Sequence, residues 1–268
     1  MAPGNRSNEL PRPLAEADLS RVRALFTDVD GTLTTGDQLE AATLRALEQL
    51  HAAGVRIVLV SGRPAGWGEC WMRELPVDAV VVENGGLWFV REGGRVRKLF
   101  AQPEAERLEA RRRLASEVER ALRLVPGARL SSDSAYTEVD LAIDHHEDVD
   151  LPPEAATKLE EALRARGVNA VRSSVHVNCW IGAFDKLSSA RRVAKEALGL
   201  TLGPGDRQSV YVGDSFNDAP MFDGFALSVG VANVREVLDR ISHPPKFVSR
   251  AREGAGFREV ARAMLKAR

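Results

Sequence analysis

Short apolar runs, separated by segments with helical periodicity, organise both ends of the chain. Val55 to Val60 and Ala79 to Val82 are nearly continuous apolar runs, and Leu25-Phe26-Thr27 is a shorter one. Runs of this kind are typical of strands that are covered on both faces. Helical patterns lie between them. The order strand, helix, strand, helix, strand predicts right-handed crossovers and a parallel sheet.

The pattern changes after Gly85 and returns at Lys186. Between these points Tyr136 to Ile143 and Val175 to Ile181 alternate between apolar and polar residues, as strands do in an antiparallel sheet with one open face. Glu92-Gly93-Gly94 adds a hairpin signal. The middle of the chain is therefore expected to be an α+β module inserted into a parallel α/β domain.

These patterns predict an α/β fold: a doubly wound parallel sheet core over roughly residues 21–85 and 183–268, with an inserted α+β domain over 86–182. The opening residues 1–20 are polar and contain prolines, and they lack the apolar core of a signal peptide. We expect them to form a flexible tail.

Composition narrows the classes of partner. The chain has 268 residues and is 44% hydrophobic, enough for one large domain or two smaller ones. Its 37 basic and 38 acidic residues nearly cancel, so no overall field indicates nucleic acid or a membrane surface. No apolar run reaches about 18 residues, and two cysteines are too few for a disulfide framework. A cytoplasmic protein is expected.

Polar residues directly follow three predicted strands: Asp28, Ser61 and Asp214. In a doubly wound sheet, ligands bind beyond the carboxyl ends of the strands. We therefore expect the three side chains to converge on one crevice, and chance placement is the alternative.

Paired carboxylates predict a metal site in that crevice. Asp28 and Asp30 lie two residues apart and repel each other unless a cation or a proton intervenes. A divalent ion satisfies Asp28, which leaves Asp30 as the acid that protonates a leaving oxygen and later activates water. Asp214 and Asp218 add oxygen ligands of the kind that Mg²⁺ takes. The candidate metal residues are thus Asp28, Asp30, Asp214 and Asp218, although each motif alone also fits an ordinary turn.

A phosphate site is predicted beside the metal. A serine hydroxyl and backbone N–H groups at a helix start bind anions, and the ammonium of Lys186 would stabilise a phosphoryl group in transfer. A serine N-cap and a solvated lysine are the structural alternatives. The candidate phosphate contacts are Gly31, Thr32, Ser61, Gly62, Arg63 and Asn217.

These stretches resemble the four motifs of the haloacid dehalogenase superfamily, in the same order: Asp28-Val-Asp-Gly-Thr, Ser61, Lys186 and Gly213-Asp-Ser-Phe-Asn-Asp. The resemblance covers the core. It implies catalysis by Asp28 as nucleophile, by Asp30 as acid and base and by Lys186, through an aspartyl-phosphate and with Mg²⁺. The insert lies between the second and third motifs and follows Glu83-Asn84-Gly85. It thereby resembles the cap of class II, type B, the subclass of sugar-phosphate phosphatases, Cof-type hydrolases and mannosyl-3-phosphoglycerate phosphatases.

In that subclass the cap sheet roofs the crevice and selects the substrate. By this analogy the candidate substrate contacts are Arg172, Ser173, Ser174, His176 and Asn178, and the alternative is a sheet face that only meets water. The implied function is a Mg²⁺-dependent phosphatase that hydrolyses a small phosphorylated metabolite, a sugar phosphate or a phosphorylated sugar acid. Mannosyl-3-phosphoglycerate, sucrose phosphate, trehalose phosphate and phosphoglycolate are substrates known in the wider subclass.

Two other functions stay open. Residues 28–34 and 83–87 also resemble phosphomannomutases, although the arginine-rich cap segment of those mutases is missing. A non-catalytic binding module is the third possibility, and the presence of every required side chain disfavours it. Release of inorganic phosphate from a generic ester separates a phosphatase from both.

Overall fold

The computed structural model describes residues 10–173 and 175–268. In chain order the strands are β1 (Arg12–Pro13), β2 (Ala24–Thr27), β3 (Arg56–Val60), β4 (Ala79–Val82), β5 (Leu87–Glu92), β6 (Arg95–Phe100), β7 (Arg129–Leu130), β8 (Leu141–Asp144), β9 (Asn169–Arg172), β10 (His176–Trp180), β11 (Ser209–Gly213), β12 (Leu227–Gly230) and β13 (Phe247–Val248). The α-helices are α1 (Ala41–Ala52), α2 (Ala65–Glu74), α3 (Glu104–Leu124), α4 (Pro153–Arg164), α5 (Lys186–Leu198), α6 (Ala219–Gly224) and α7 (Glu253–Lys266).

The chain divides into two compact units. The first unit contains the described residues up to Val60 together with 74–80 and 190–268, and the second unit contains 61–73 and 81–189. These bounds differ from the predicted core and cap, since the segments around Ser61 and Lys186 fall into the second unit. The predicted domain boundaries stay a prediction.

In the first unit, parallel pairing gives the strand order β3, β2, β11, β12, β13, β1. All residues of β2, β11 and β12 are buried, which confirms the parallel sheet predicted from continuous apolar runs. Helices α1 and α7 pack against each other. Because the strands are parallel, the residues that follow β2, β11 and β12 share one edge of the sheet.

The predicted flexible tail is wrong for its described part. β1 pairs in parallel with β13, and Leu14 and Leu19 are buried in the first unit. Apolar side chains spaced along a polar segment hold it in place, because each removes apolar surface from water. The rest of the predicted tail, residues 1–9, lies outside the described residues.

In the second unit, β5 and β6 form the predicted hairpin, with Gly93 and Gly94 at positive φ in its turn. An antiparallel sheet follows with the order β7, β8, β10, β9. Helices α3 and α4 contribute Leu114 and Leu159 to the core, and β10 contributes Val177. This is the α+β insert expected from the alternating pattern.

Two details of the insert differ from the prediction. The strand expected from Tyr136 begins only at Leu141, because the backbone N–H groups of residues 138–140 donate to the carboxylate of Glu83 instead of to a neighbouring strand. All five residues of β10 are buried, so its polar face is not open. Within the described residues, no helix is both long and apolar enough to cross a bilayer.

Candidate active site

Three carboxylates lie together in the first unit. Asp28, Asp214 and Asp218 each offer an oxygen, and these oxygens lie within 4.8 Å of one another. Asp28 follows β2 and Asp214 follows β11, and the two strands are parallel neighbours, which explains the meeting. The structure thus brings together three of the four predicted metal residues. Asp30 is half-buried and does not belong to this group.

A tight turn after β2 shapes this cluster. The N–H of Asp28 donates to the carbonyl of Val212 at 2.9 Å, which continues the strand ladder by one residue. The chain then turns through Gly31 at a φ of 71°. A Cβ atom at Gly31 would lie 2.7 Å from Oδ2 of Asp214, closer than packed atoms approach. Glycine is therefore required here both for the turn and for the position of the neighbouring carboxylate.

Neutral donors orient Asp214. The hydroxyl of Thr32 donates to Oδ1 at 3.1 Å, and Nδ2 of Asn233 donates to Oδ2 at 2.8 Å. The N–H of Gly31 donates to the Thr34 hydroxyl at 3.1 Å. The predicted phosphate contacts Gly31 and Thr32 are thus engaged within the protein. Sequence reasoning missed Asn233, although its place just beyond β12, at the same edge of the sheet, was a usable signal.

Asp218 accepts hydrogen bonds at both oxygens. The Tyr211 hydroxyl donates to Oδ1 at 2.6 Å, and the N–H groups of Asp214 and Ser215 donate to Oδ2 at 3.0 and 3.2 Å. Burial raises the pKa of Tyr211 well above its usual range, and the nearby charges of Asp218 and Asp28 raise it further. The phenol therefore keeps its proton and acts as a donor. Sequence reasoning missed Tyr211, since a tyrosine inside an apolar strand looks like ordinary core.

Asn217 lies on the same loop, half-buried. Its Oδ1 accepts a hydrogen bond from the Ser215 hydroxyl at 2.5 Å, so this bond fixes the loop between Asp214 and Asp218. Its predicted phosphate contact stays a prediction.

The donor set of this cluster fits Mg²⁺. Three carboxylates this close repel one another unless a cation or a proton lies between them. All the donors are hard oxygens, which Mg²⁺ prefers. Asp28 and Asp218 are buried, so water screens their charges poorly.

The second unit holds the second and third motifs. The buried Ser61 hydroxyl accepts the N–H of Arg63 at 3.0 Å just before α2, as a helix cap does. Gly62 lies against two amides: a Cβ there would be 3.2 Å from Oδ1 of Asn84 and 3.3 Å from Nδ2 of Asn178. Lys186 begins α5 with a buried side chain.

Arg63 belongs to an ionic network inside the second unit. Its Nη1 lies 3.2 Å from Oε1 of Glu147 and 3.7 Å from Oδ2 of Asp133. Oε2 of Glu147 lies 2.7 Å from Nε2 of His176, and Trp67 donates its indole N–H to Asp133 at 3.3 Å. The network ties the loop that carries the second motif to β10 of the cap. Asp133 and Glu147 carried no sequence signal beyond a polar loop.

The predicted cap contacts divide between the two faces of the sheet. His176 and Asn178 are on the face that meets Glu147 and Gly62. Arg172 pairs in register with Val177, so its side chain leaves the other face, where Nη1 donates to the hydroxyl of Thr157 on α4 at 3.1 Å. Arg172 thus lies on the face opposite to His176, and its predicted substrate contact stays a prediction.

Two serines between β9 and β10, Ser173 and Ser174, were also predicted to contact the substrate. The Ser173 hydroxyl accepts the N–H of His176 at 3.0 Å and donates to its carbonyl at 3.2 Å, so it closes the turn. Ser174 lies outside the described residues.

A buried acid pair lies under the second unit's loops. The Glu83 carboxylate accepts the N–H of Ala65 at 2.9 Å and those of residues 138–140. Asn84 donates to Oδ2 of Asp140 at 2.8 Å. Burial raises the pKa of Asp140 well above its usual range, and the charge of Glu83 raises it further. Burial raises the pKa of Glu83 as well, and the backbone N–H donors oppose that rise.

Comparisons with known proteins agree with this architecture. The family model of haloacid dehalogenase-like hydrolases matches residues 25–101. A phosphoglycolate phosphatase of Haloarcula marismortui is 31% identical over 244 residues, which cover 88% of this chain and 94% of the relative.

Solved structures with the same fold include a Thermoplasma acidophilum protein, with a TM-score of 0.71 and 21% identity, covering 91% of this chain and 98% of that one. The C-terminal domain of C. albicans trehalose-6-phosphate phosphatase gives a TM-score of 0.69 at 15% identity, covering 97% and 99%. Both similarities show that this chain shares the fold of those proteins.

The chain belongs to the haloacid dehalogenase-like hydrolase family. It is an enzyme of the phosphatase type, with a parallel α/β core and an α+β cap, and the predicted membership is confirmed.

Proposed function

We propose that the chain is a Mg²⁺-dependent phosphatase that hydrolyses a small phosphomonoester through an aspartyl-phosphate on Asp28. One observation carries this proposal: the oxygens of Asp28, Asp214 and Asp218 gather within 4.8 Å at the carboxyl edge of a parallel sheet. The negative charge of these carboxylates would attract a cation, and the cation would in turn hold a phosphate ester.

Asp28 and Asp214 would hold the metal, and Asp218 would orient them, since both of its oxygens already accept hydrogen bonds. When bound, Mg²⁺ supplies the positive charge that offsets the oxygens of the phosphoryl group. Lys186 adds a second positive charge, and Ser61 a hydroxyl donor, in the roles that the motif resemblance gives them.

Asp28 performs the first displacement. One of its carboxylate oxygens attacks phosphorus in line with the ester bond, which breaks as the aspartyl P–O bond forms. Asp30 donates its proton to the departing oxygen. In the second displacement Asp30 takes a proton from water, the water oxygen attacks phosphorus, and Asp28 leaves as a free carboxylate.

The proposed substrate is a small phosphorylated hydroxy acid, with phosphoglycolate as the first compound to test. The support is the name of the Haloarcula relative, whose similarity spans nearly all of both chains. The sugar phosphates predicted from the subclass come second. The trehalose-6-phosphate phosphatase domain, at 15% identity, supports the fold alone.

The test is phosphate release from phosphoglycolate and from a generic aryl phosphate, with Mg²⁺ and with a chelator. Asp28→Asn should lower kcat at least about 1,000-fold, because an amide is a poor nucleophile and a poor metal ligand. Asp37→Asn is the matched control, since Asp37 is exposed on the same loop and asparagine tolerates its positive φ.

The chelator should abolish release by the native enzyme. Near-normal rates in Asp28→Asn would refute the covalent route. Isomerisation of a hexose phosphate without phosphate release would favour the mutase.

A further inference from the structure

A second polar cleft, of about 1240 Å³, opens on the first unit. Its lining includes Arg23, which directly precedes β2, and Gln208, which directly precedes β11. The cleft thus lies at the amino ends of the two strands whose carboxyl ends lead to Asp28 and Asp214. Arg23 and Asp28 are five residues apart along an extended strand, a separation of roughly 16 Å. The cleft is therefore separate from the carboxylate cluster.

Positive charge dominates this cleft. Arg21, Arg23, Arg207 and Arg268 line it, and Asp206 is the one acidic residue in the lining. In the part of the chain that the structure describes, Arg21, Arg23 and Arg207 form no ion pair with a carboxylate. Arg268 donates to the carbonyls of Val22 and Ala53 instead. A concave surface with like charges focuses its potential and attracts anions.

Asp18 is close enough to this cleft to interact with its arginines. Hydrogen bonds from Ser20 lower the pKa of Asp18, and the charges of Arg21 and Arg207 lower it further.

The side chains that line the cleft favour phosphate groups over other anions. Guanidinium groups match phosphate oxygens through paired N–H donors. The lining contains glycines such as Gly54, Gly199 and Gly205 but no aromatic side chain on which a base could stack. The volume exceeds that of a single phosphate. We propose that this cleft binds a small polyanion with two or more phosphate groups, recognised through its phosphates.

An unsatisfied acceptor in the same cleft fits such a ligand. Oδ1 of Asp206 accepts the N–H of Gln208 at 2.8 Å. Its Oδ2 is buried, and no group of the described protein donates to it. A protonated phosphate oxygen or a hydroxyl group of the ligand supplies the missing donor.

Calorimetric titration with inorganic tripolyphosphate tests the proposal, using Asp28→Asn protein without Mg²⁺ so that the probe is not hydrolysed. Replacing Arg21, Arg23 and Arg207 by alanine should weaken binding about 1,000-fold, because each of the three guanidinium groups contributes roughly tenfold. The control replaces Arg45, Arg191 and Arg262, which are exposed elsewhere on the first unit, and removes the same net charge. It should change the affinity less than about threefold, since exposed distant charges are screened.

The affinity should exceed that for inorganic phosphate. With Asp28 restored, the cleft variant should keep its phosphatase activity, which shows that it folds. No binding by the parent protein overturns the proposal. So does equal weakening in the cleft and control variants, or unchanged affinity in the cleft variant.

Discussion

The two units hold their acidic side chains in opposite ways. In the first unit, Asp28, Asp214 and Asp218 lie close together, and neutral donors orient two of them: Thr32 and Asn233 donate to Asp214, and Tyr211 donates to Asp218. Neutral donors fix a carboxylate without adding a charge of their own.

In the second unit the acids are compensated locally. Glu147 lies against Arg63 and His176, and burial together with the charge of Glu83 raises the pKa of Asp140. We expect the first set of residues to act in turnover, and the second set to position loops and to sort substrates.

Among the changes that test this comparison, the largest effect is expected from Gly31→Ala. The new Cβ would lie 2.7 Å from Oδ2 of Asp214 and displace it, and misplaced catalytic groups cost about 100-fold in rate. Gly36→Ala is the matched control, because Gly36 also has a positive φ but no atom lies within 4 Å of its Cβ position. Both variants should lose some stability in thermal unfolding because alanine disfavours a positive φ, and only Gly31→Ala should also lose kcat/KM. Equal activity in the two would contradict the tight approach to Asp214.

Tyr211→Phe tests the neutral donors. Removing the hydroxyl that donates to Asp218 should raise the Mg²⁺ concentration needed for half-maximal activity about tenfold, as loss of an outer hydrogen bond to a metal site does. Tyr136→Phe, an exposed tyrosine, is the control and should leave this concentration unchanged. An unchanged Mg²⁺ requirement in Tyr211→Phe would show that Asp218 needs no such support.

His176→Ala tests the selective role of the second unit. Loss of the contact with Glu147 should change the ratio of kcat/KM between a metabolite and a generic aryl phosphate about fivefold, with a smaller effect on the generic ester itself. His146→Ala, an exposed histidine on the loop after β8, should leave the ratio unchanged. Equal losses on both substrates in His176→Ala would remove His176 from substrate selection.

The smallest effect is expected from Asp140→Asn. The folded protein holds the Asp140 proton more tightly than the unfolded chain does, so stability falls as pH rises from about 4 through the raised pKa of Asp140. The variant removes this titration. Its free energy of unfolding should depend less on pH and should exceed that of the native protein at the alkaline end of the range. Asp150→Asn, at an exposed site, should follow the native curve in denaturant titrations, and an Asp140→Asn variant with the same pH dependence as the native protein would contradict the raised pKa of Asp140.

The sequence predicts the first unit's cluster well for a physical reason. Asp28 and Asp214 directly follow apolar runs, and parallel strands bring their carboxyl ends to one edge. The residues that orient them are harder to find. Asn233 donates to the carbonyl of Gly31, which is 202 residues away along the chain. Tyr211 contributes a single hydroxyl from an otherwise apolar strand.

The second unit was predicted less well because its contacts form between loops. The alternation in β10 indicated two faces but not that Gly62 and Glu147 would cover the polar one. The N–H groups that would have extended β8 donate to Glu83 instead, and no local sequence pattern predicts such hydrogen bonds. Register and loop packing, rather than composition, decided these outcomes.

The stereochemical course at phosphorus tests the proposed chemistry most directly. A substrate whose phosphoryl oxygens are labelled to make phosphorus chiral is hydrolysed in isotopically labelled water, and the configuration of the released phosphate is determined. Two in-line displacements, the first by Asp28, give net retention. Net inversion would mean that water attacks the ester directly, and Asp28 would then not be the nucleophile.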